Sequence, residues 1–251
     1  MPLRPALLLA VLLAAHAGAA PAPEPIVTVA FGESLEPYAI PPLGSGIEVD
    51  IVREALQQQG LQLKPLFLAQ KRLPYALGSK EMDAVATMLP NYGVNGAYSE
   101  PYIQYQDKAI TLAERNLAIT SIGDLARYRV LGFPLASQYL GSAFRQLTQQ
   151  HPAYSETGNQ LDQNRLLFRG SVDVVVADVR IFSYMNRRMQ SDFHETPRPV
   201  HYHNLFPQLS YRVLFRSPQQ RDAFNHGLRQ LQQSGRYQQI IDKYDAELGA
   251  D

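Results

Sequence analysis

The fold of this chain is indicated by one stretch, Leu77-Gly78-Ser79-Lys80-Glu81-Met82-Asp83-Ala84-Val85-Ala86-Thr87-Met88, which is followed by Tyr98-Ser99-Glu100-Pro101-Tyr102. A helix is predicted to end near Gly78, because glycine commonly terminates helices, and Asp83 then leads into a short apolar strand. The strand runs towards an edge that carries polar and aromatic residues. This arrangement is typical of a ligand-binding cleft at the end of an α/β sheet.

The same order of elements recurs along the chain. Apolar, β-branched runs over 26–31 and 61–68 predict strands, and the helical spacing of apolar residues over 47–59 predicts a helix between them. Later, Gly170-Ser171-Val172-Asp173-Val174-Val175 repeats the glycine, the turn and the aspartate before a strand. Strands that alternate with helices favour parallel pairing with right-handed crossovers. The sequence therefore predicts two similar α/β lobes, with one doubly wound domain as the alternative.

The same signals predict the remaining elements. Ser217 followed by Pro218 is typical of a helix start, and Gly235 separates that helix from a last amphipathic one over 237–248. Further helices are expected over 71–77, 137–149 and 162–168, and further strands over 128–133, 172–177 and 211–215.

Composition narrows the classes of protein. The 251 residues include 23 basic and 23 acidic side chains, so the net charge is zero. A balanced charge argues against nucleic acid or an anionic membrane as the main partner. The sequence contains no cysteine, which excludes a disulfide framework, so stability has to come from the packed core.

The first residues have the pattern of a secretory signal peptide. Arg4 supplies the positive start, residues 7–15 form an apolar run too short to span a bilayer, and Ala17-Gly18-Ala19 supplies the small residues of a cleavage site. We expect residues 1–19 to be removed. The remaining chain is then predicted to work in a bacterial periplasm.

Several motifs along the chain resemble those of one family. They are Gly44-Ser45-Gly46-Ile47-Glu48-Val49-Asp50-Ile51, Met82-Asp83-Ala84, Tyr98-Ser99-Glu100-Pro101-Tyr102, Val172-Asp173-Val174-Val175-Val176-Ala177-Asp178 and Ser234-Gly235-Arg236-Tyr237. In this order they resemble the periplasmic solute-binding proteins of family 3, the amino-acid-type receptors of ABC importers.

The resemblance implies a two-lobed α/β fold, the periplasmic-binding-protein-like fold of type II, with the lobes joined by two crossing strands. Residues 26–113 together with 209–251 are expected to form the first lobe, and residues 114–208 the second. The lobes are expected to close like a hinge over a small polar ligand, amino-acid-like or related. The resemblance also implies a monomer that is not an enzyme, uses no cofactor and serves an ABC transporter permease.

One residue departs from the family pattern. In the amino-acid receptors, an arginine shortly before the Phe-Ser-x-Pro-Tyr segment binds the ligand carboxylate, and Tyr92 occupies that position here. A phenol stacks or donates one hydrogen bond, but it cannot form the charge-assisted fork of a guanidinium. Lys71 and Arg72, at the start of a predicted helix, are the best substitutes, and ordinary solvated side chains are the alternative.

Five further residues are predicted to bind the ligand. Asp178 matches the family's second-lobe acid, which meets the ligand's amino group, and Ser137 opens a helix whose donors suit an anion. For both, an ordinary helix cap is the alternative. Tyr38 matches an aromatic residue of the family's first loop, while Glu33 and Thr87 lie at neighbouring strand edges; solvent exposure is the alternative for Glu33.

Other functions find less support in the sequence. His201 and His203, with His194 nearby, suggest a metal site. No carboxylate or thiol stands at ligand spacing, however, so no metal is expected. A periplasmic dehydratase of the cyclohexadienyl dehydratase type resembles the same fold, although its substrates carry carboxylates. A third hypothesis is a receptor that feeds a membrane sensor instead of an importer.

Overall fold

A computed structural model describes residues 24–248, and the predicted signal peptide lies outside them. The chain forms strands and helices in alternation, as the sequence predicts. The strands are β1 (Ile26–Gly32), β2 (Gln62–Leu68), β3 (Ala84–Met88), β4 (Ala97–Tyr98), β5 (Ile103–Tyr105), β6 (Asp107–Leu112), β7 (Val130–Gly132), β8 (Tyr154–Glu156), β9 (Val174–Asp178), β10 (Val200–His203) and β11 (Leu209–Phe215). The α-helices are α1 (Ile47–Gln57), α2 (Ala136–Tyr139), α3 (Ser142–Gln150), α4 (Gln160–Phe168), α5 (Val179–Phe193), α6 (Pro218–Gln233) and α7 (Arg236–Leu248).

These strands form two sheets, one in each lobe. The first sheet has the order β2-β1-β3-β11-β4, with β5 paired to β11, and the second has the order β10-β6-β9-β7-β8. Within each sheet a parallel group built from strand–helix–strand units is extended by antiparallel strands. The predicted two-lobed α/β fold is confirmed.

The two aspartates of the repeated motif hold corresponding places. Asp83, just before β3, accepts a hydrogen bond of 2.8 Å from the backbone N–H of Thr28 in β1. Asp173, just before β9, accepts one of 2.9 Å from the N–H of Arg129, which precedes β7. Each carboxylate ties the turn before a central strand to the start of the neighbouring strand, so the repeated sequence pattern reflects one structural device used twice.

The chain crosses between the sheets at two places. Gln106 separates β5 of the first sheet from β6 of the second, and residues 204–208 lead from β10 back to β11. The first boundary is predicted from the sequence to follow residue 113. Strand β6 pairs with β9 and β10, so sheet pairing assigns residues 107–112 to the second lobe.

Two predicted helices differ from the observed ones. The segment Gln70–Gly78 is a 3₁₀ helix with Pro74 inside it, because proline cannot donate the backbone hydrogen bond that an α-helix needs there. The helix predicted over 137–149 is divided into α2 and α3 at Gly141, whose φ of 97° lies in the region that favours glycine. This break leaves α2 as a single turn at the edge of the cleft.

The largest hydrophobic core extends through both lobes. It joins Phe31 and Ile51 of the first lobe to Val175 and Phe182 of the second. Each lobe also has a smaller cluster of its own. The lobes are therefore in close contact. Among residues 24–248, no helix is long and apolar enough to cross a membrane.

Candidate ligand-binding site

A narrow space lies where the two lobes meet, and we call it the interlobe cavity. Its volume is about 10 Å³, roughly the room that one water molecule requires. Residues of both lobes and of the crossing strands line it: Leu35, Gln70, Tyr105, Asp107, Phe133, Gln160, Asp178, Ile181 and Tyr211. An amino-acid-sized ligand needs more space, so the lobes have to separate before one enters.

A buried carboxylate organises the first-lobe side of this region. Glu48, at the start of α1, is fully buried and accepts hydrogen bonds from the hydroxyls of Thr87 (2.7 Å), Tyr102 (2.6 Å) and Tyr105 (2.6 Å). We call these four residues the Glu48 cluster. Burial raises the pKa of Glu48, while the hydroxyl donors of Tyr102, Tyr105 and Thr87 act in the opposite direction. The cluster satisfies its own hydrogen bonds.

Thr87 belongs to this cluster through its backbone as well. Its φ is 58°, a conformation that β-branched residues rarely adopt, and its N–H donates to the Tyr102 hydroxyl at 3.2 Å. The register between β3 and β11 also shifts close to this point. Strained backbone of this kind costs about 1–3 kcal/mol and persists only when its surroundings hold it in place. Thr87, predicted to contact the ligand, donates its hydroxyl to Glu48.

Asp178 ends β9 at the cavity and is fully satisfied by the protein. Its carboxylate caps α5 by accepting from the N–H groups of Arg180 (2.9 Å) and Ile181 (3.2 Å), and it also accepts from the N–H of Gln106 (2.7 Å). The hydroxyl of Tyr38, from the first lobe, donates to it at 3.1 Å. Burial raises the pKa of Asp178, against the effect of these hydrogen bonds. Asp178 therefore caps α5 and also lines the cavity, so the predicted ligand contact and the alternative helix cap are compatible.

A second carboxylate lies directly beside Asp178. Asp107 begins β6, and the register of the antiparallel pair places it opposite Asp178. Its side chain is 2% exposed, and its Oδ2 has no hydrogen-bond partner among the described residues. Burial, together with the charge of Asp178, raises the pKa of Asp107 well above the usual value.

Helix α4 adds two buried side-chain amides to these polar residues of the second lobe. Gln160 is 5% exposed and lines the cavity, and its Oε1 has no partner within residues 24–248. Gln163, one turn further on, is fully buried, and neither its Oε1 nor its Nε2 has a partner in the same part of the chain. Buried side-chain amides are normally hydrogen-bonded, so the Oε1 of Gln160 is an acceptor still open at the cavity.

Polar and aromatic contacts hold the lobes together around the cavity. Besides the bond between Tyr38 and Asp178, the guanidinium of Arg180 pairs with the carboxylate of Asp245 at 2.7 and 2.9 Å. On another side, the ring of Tyr92 stacks on that of Tyr139, with centroids 4.1 Å apart. Within the first lobe, Tyr38 also stacks on Tyr105, with centroids 3.9 Å apart. The contacts between the lobes describe a closed arrangement.

Tyr92, predicted to stand at the position of a family arginine, lines an outer depression. The depression has a volume of about 400 Å³ and is lined by residues of both lobes, including Lys71 and Arg145. Burial raises the pKa of the Tyr92 phenol, so it stays neutral at physiological pH. Arg72 is exposed and lines neither space.

Ser137 lies in the short helix α2, and its donors already serve a carboxylate of the same chain. Glu156, at the end of β8, accepts hydrogen bonds from the N–H of Ser137 (3.0 Å), its hydroxyl (2.8 Å) and the N–H of Leu135 (2.8 Å). The Tyr154 hydroxyl adds a fourth bond at 2.8 Å. The pKa of Glu156 is lowered, because these hydrogen bonds outweigh its partial burial. The anion-binding geometry predicted at Ser137 therefore exists, and Glu156 fills it.

The other predicted positions lie away from the cavity. Glu33 is exposed, and it is not among the residues that line the interlobe cavity. His203 places its Nε2 3.0 Å from the Thr111 hydroxyl and its Nδ1 3.1 Å from the carbonyl of Ile119, so both ring nitrogens have protein partners. Among residues 24–248 no group of three histidine, aspartate or glutamate side chains is arranged to hold a metal ion.

Sequence reasoning missed Asp107, Gln160 and Gln163. Asp107 precedes the apolar run Ala109-Ile110-Thr111-Leu112, which is the pattern used for Asp83 and Asp173, so that signal was present. Gln160 and Gln163 lie three positions apart on α4, and both are on its buried side. Polar residues at helical spacing within a buried face would have identified them.

Residues 27–247 match a family described as the bacterial extracellular solute-binding proteins, family 3. The chain belongs to this family. The match covers both lobes and nearly the whole described part of this solute-binding protein, which confirms the resemblance found in the sequence. A comparison with curated proteins found no match.

Solved structures share the fold of this solute-binding protein at low sequence identity. A mutant of the arginine-binding protein ArgBP from T. maritima is 18% identical over 88% of this chain and 95% of its own, with a TM-score of 0.68. A histidine kinase sensor domain similar to periplasmic binding proteins is 18% identical, with coverages of 88% and 96% and a TM-score of 0.71. An ancestral amino acid-binding protein, a precursor of cyclohexadienyl dehydratase, is 17% identical, with coverages of 87% and 95% and a TM-score of 0.66.

Proposed function

We propose that this solute-binding protein captures a small polar solute between its two lobes in the bacterial periplasm and delivers it to an ABC importer. The observation that carries the proposal is the interlobe cavity, because buried polar groups of the second lobe and side chains of the first lobe meet there. A pocket with a few buried polar groups at a lobe interface is the usual place for a small ligand. The protein acts as a monomer, without a cofactor and without catalysis.

Closure is the step that the predicted site residues serve. Tyr38 and Asp178 join the lobes through one hydrogen bond, and Tyr92 stacks on Tyr139 beside the cavity. These contacts form only when the lobes are together. A ligand that binds both walls adds its own contacts to the closed state and shifts the equilibrium towards it. Thr87 and Ser137 support the walls through Glu48 and Glu156, while Glu33 and Arg72 lie outside them and are the weakest of the predicted ligand contacts.

A thermal-shift screen of the purified protein against amino acids, amines, dicarboxylates and small aromatic compounds tests the proposal. A ligand at a hundred times its dissociation constant adds about 2.7 kcal/mol to the free energy of unfolding, which shifts the melting temperature visibly. Small-angle scattering with that ligand reports closure as a smaller radius of gyration. A protein that binds none of these solutes and instead converts a substrate would overturn the proposal.

The sensor hypothesis has support in the similarity to a histidine kinase sensor domain. Partner choice depends on the outer surface and not on the cavity. Capture of membrane proteins by the immobilised, ligand-loaded protein separates the two roles, since an importer permease and a sensor are distinct partners.

The dehydratase hypothesis has support in the similarity to the precursor of cyclohexadienyl dehydratase. The side chains that line the interlobe cavity, within residues 24–248, include no lysine or arginine to receive a substrate carboxylate. Consumption of prephenate, followed by absorbance, decides the question, and we expect none.

A further inference from the structure

Two buried hydrogen-bond acceptors at the interlobe cavity are unpaired within the described part of the chain. Asp107 Oδ2 and Gln160 Oε1 are both buried, and neither has a partner among the described residues. Leaving a buried acceptor unpaired is unfavourable, because it loses its contact with water and gains nothing in return. Both side chains line the same space, so one group that carries several N–H donors satisfies them together.

The charges around the cavity favour a cation. Asp107 and Asp178 face each other across neighbouring strands, and the charge of Asp178 is close enough to Glu48 to add to the raised pKa of Glu48. Arg180 follows Asp178, but its guanidinium pairs with Asp245. A positively charged ligand relieves the repulsion between these carboxylates.

Among the described residues at the interlobe cavity, the anchors for a ligand carboxylate are missing or occupied, and Lys71 and Arg145 line the outer depression instead. Tyr92 stands at the position of the family's arginine, and it stacks on Tyr139. The donors of Leu135 and Ser137 are taken by Glu156, so the protein already supplies the anion that this turn binds. A ligand carboxylate would enter a space lined by carboxylates and lose its hydration without compensation.

The apolar part of the wall also suits an organic cation. Tyr105, Tyr211 and Phe133 line the cavity beside Asp107. Aromatic rings attract ammonium and guanidinium groups through their π faces, most strongly where water is excluded. A hydrated metal ion has less use for such rings, and oxygen ligands would surround it instead.

We propose that Asp107 and Gln160 bind the ammonium or guanidinium group of a small organic amine that carries no carboxylate. The inference rests on the proposed function, in which a ligand binds between the lobes. Asp107 Oδ2 and Gln160 Oε1 accept hydrogen bonds from the cation, Asp178 contributes its negative charge, and the aromatic rings cover the hydrocarbon part. The lobes open to admit the amine and close around it, and because the cavity as it stands has room for about one water molecule, the bound amine holds them slightly further apart than in the present arrangement.

Isothermal titration of the purified protein with matched pairs tests the chemical class of the ligand. The pairs are cadaverine and lysine, putrescine and ornithine, and agmatine and arginine, because the members of each pair differ only by the α-carboxyl group. We expect at least one amine to bind about tenfold or more tightly than its amino acid. An amino acid that binds as tightly as its amine overturns the proposal, and so does the failure of all three amines.

Variants test the assigned residues. Asp107→Asn removes the charge with little change of shape, and Gln160→Leu removes the amide acceptor; we expect losses of affinity of about tenfold or more and about fivefold, respectively. Asp192→Asn, an exposed carboxylate of the second lobe outside the cavity, is the matched control and should leave the affinity unchanged. Thermal melting of each variant confirms that it is folded. Wild-type affinity in Asp107→Asn contradicts the assignment.

The two proposals fail in different ways. If the screen finds a carboxylate-bearing solute that binds and stabilises the protein, the amine proposal is wrong and the solute-binding role stands. If no solute binds, both are wrong.

Discussion

Each of the two walls of the cleft contains a buried carboxylate, and the two carboxylates differ in their hydrogen bonding. Glu48, on the first-lobe side, is fully buried and receives hydroxyl donors from Thr87, Tyr102 and Tyr105. Asp107, on the second-lobe side, is equally inaccessible, yet its Oδ2 has no partner among the described residues. A carboxylate with three donors stabilises its own lobe. A carboxylate with an open oxygen is costly until something binds it, so the difference separates structural from ligand-binding carboxylates.

The largest expected effect on stability comes from removing Glu48, the hydrogen-bonded carboxylate on the first-lobe side of the cavity. Glu48→Leu leaves three buried hydroxyls without their acceptor, and we expect the free energy of unfolding to fall by about 3 kcal/mol or more. Urea unfolding followed by circular dichroism measures it. Glu81→Leu removes an exposed glutamate and serves as the control, with an expected change within about 0.5 kcal/mol. A loss below about 1 kcal/mol in Glu48→Leu would show that the cluster is not structural.

A smaller effect is expected where the two walls meet. Tyr38→Phe removes the hydrogen bond to Asp178 and keeps the stacking on Tyr105, so it should cost about 1.5 kcal/mol. Tyr75→Phe, at a 79% exposed tyrosine, is the control and should have little effect. Thermal unfolding monitors stability, and scattering monitors the separation of the lobes. Equal stability of Tyr38→Phe and the wild type would mean that this bond does not hold the lobes together.

On the second-lobe side, replacing Asp107 is expected to raise the free energy of unfolding instead of lowering it. Asp107→Asn removes a buried negative charge beside that of Asp178, so the ligand-free protein should become more stable by up to about 1 kcal/mol at neutral pH. Urea unfolding without added ligand measures this gain. A clear loss of stability would indicate that Asp107 has a structural partner and would remove the contrast with Glu48.

The smallest effect is a difference in pH dependence. Burial and Asp178 raise the pKa of Asp107, and the phenols of Tyr105 and Tyr211 also line this space. As pH rises, the Asp107 carboxyl therefore stays protonated in the folded state after it has lost its proton in the unfolded chain. The contribution of Asp107 to stability is full below about pH 4 and falls as pH rises. The difference in the free energy of unfolding between Asp107→Asn and the wild type should grow with pH, and it should vanish below about pH 4.

Asp192 provides a control with the opposite sign. Its pKa is lowered by the Ser191 hydroxyl and by Arg188, so its contribution is present above the unfolded value and is lost as pH falls. Asp192→Asn should not gain stability with rising pH. If both variants follow the same profile, net charge and not the cavity explains the effect.

The fold could be predicted in large part from the sequence, and the site only in outline. Apolar strands, helical spacing and the repeated aspartates led to the two lobes, because these signals are local and periodic. The α2–α3 break and the 3₁₀ segment were missed, since Gly141 and Pro74 act through backbone conformation inside otherwise helical patterns. Asp178 and Tyr38 were found as candidates, but their mutual hydrogen bond depends on closure of the lobes.

By itself, the sequence determined the two-lobed class, the family and the absence of an arginine at position 92. Motif order and residue identity are properties of the chain, so they could be read directly. The tertiary structure alone decided that Glu156 fills the donors at Ser137 and that Asp107 faces Asp178 with an open oxygen. These relations join residues from different strands and helices. Their energies depend on burial and distance, which exist only once the chain has folded.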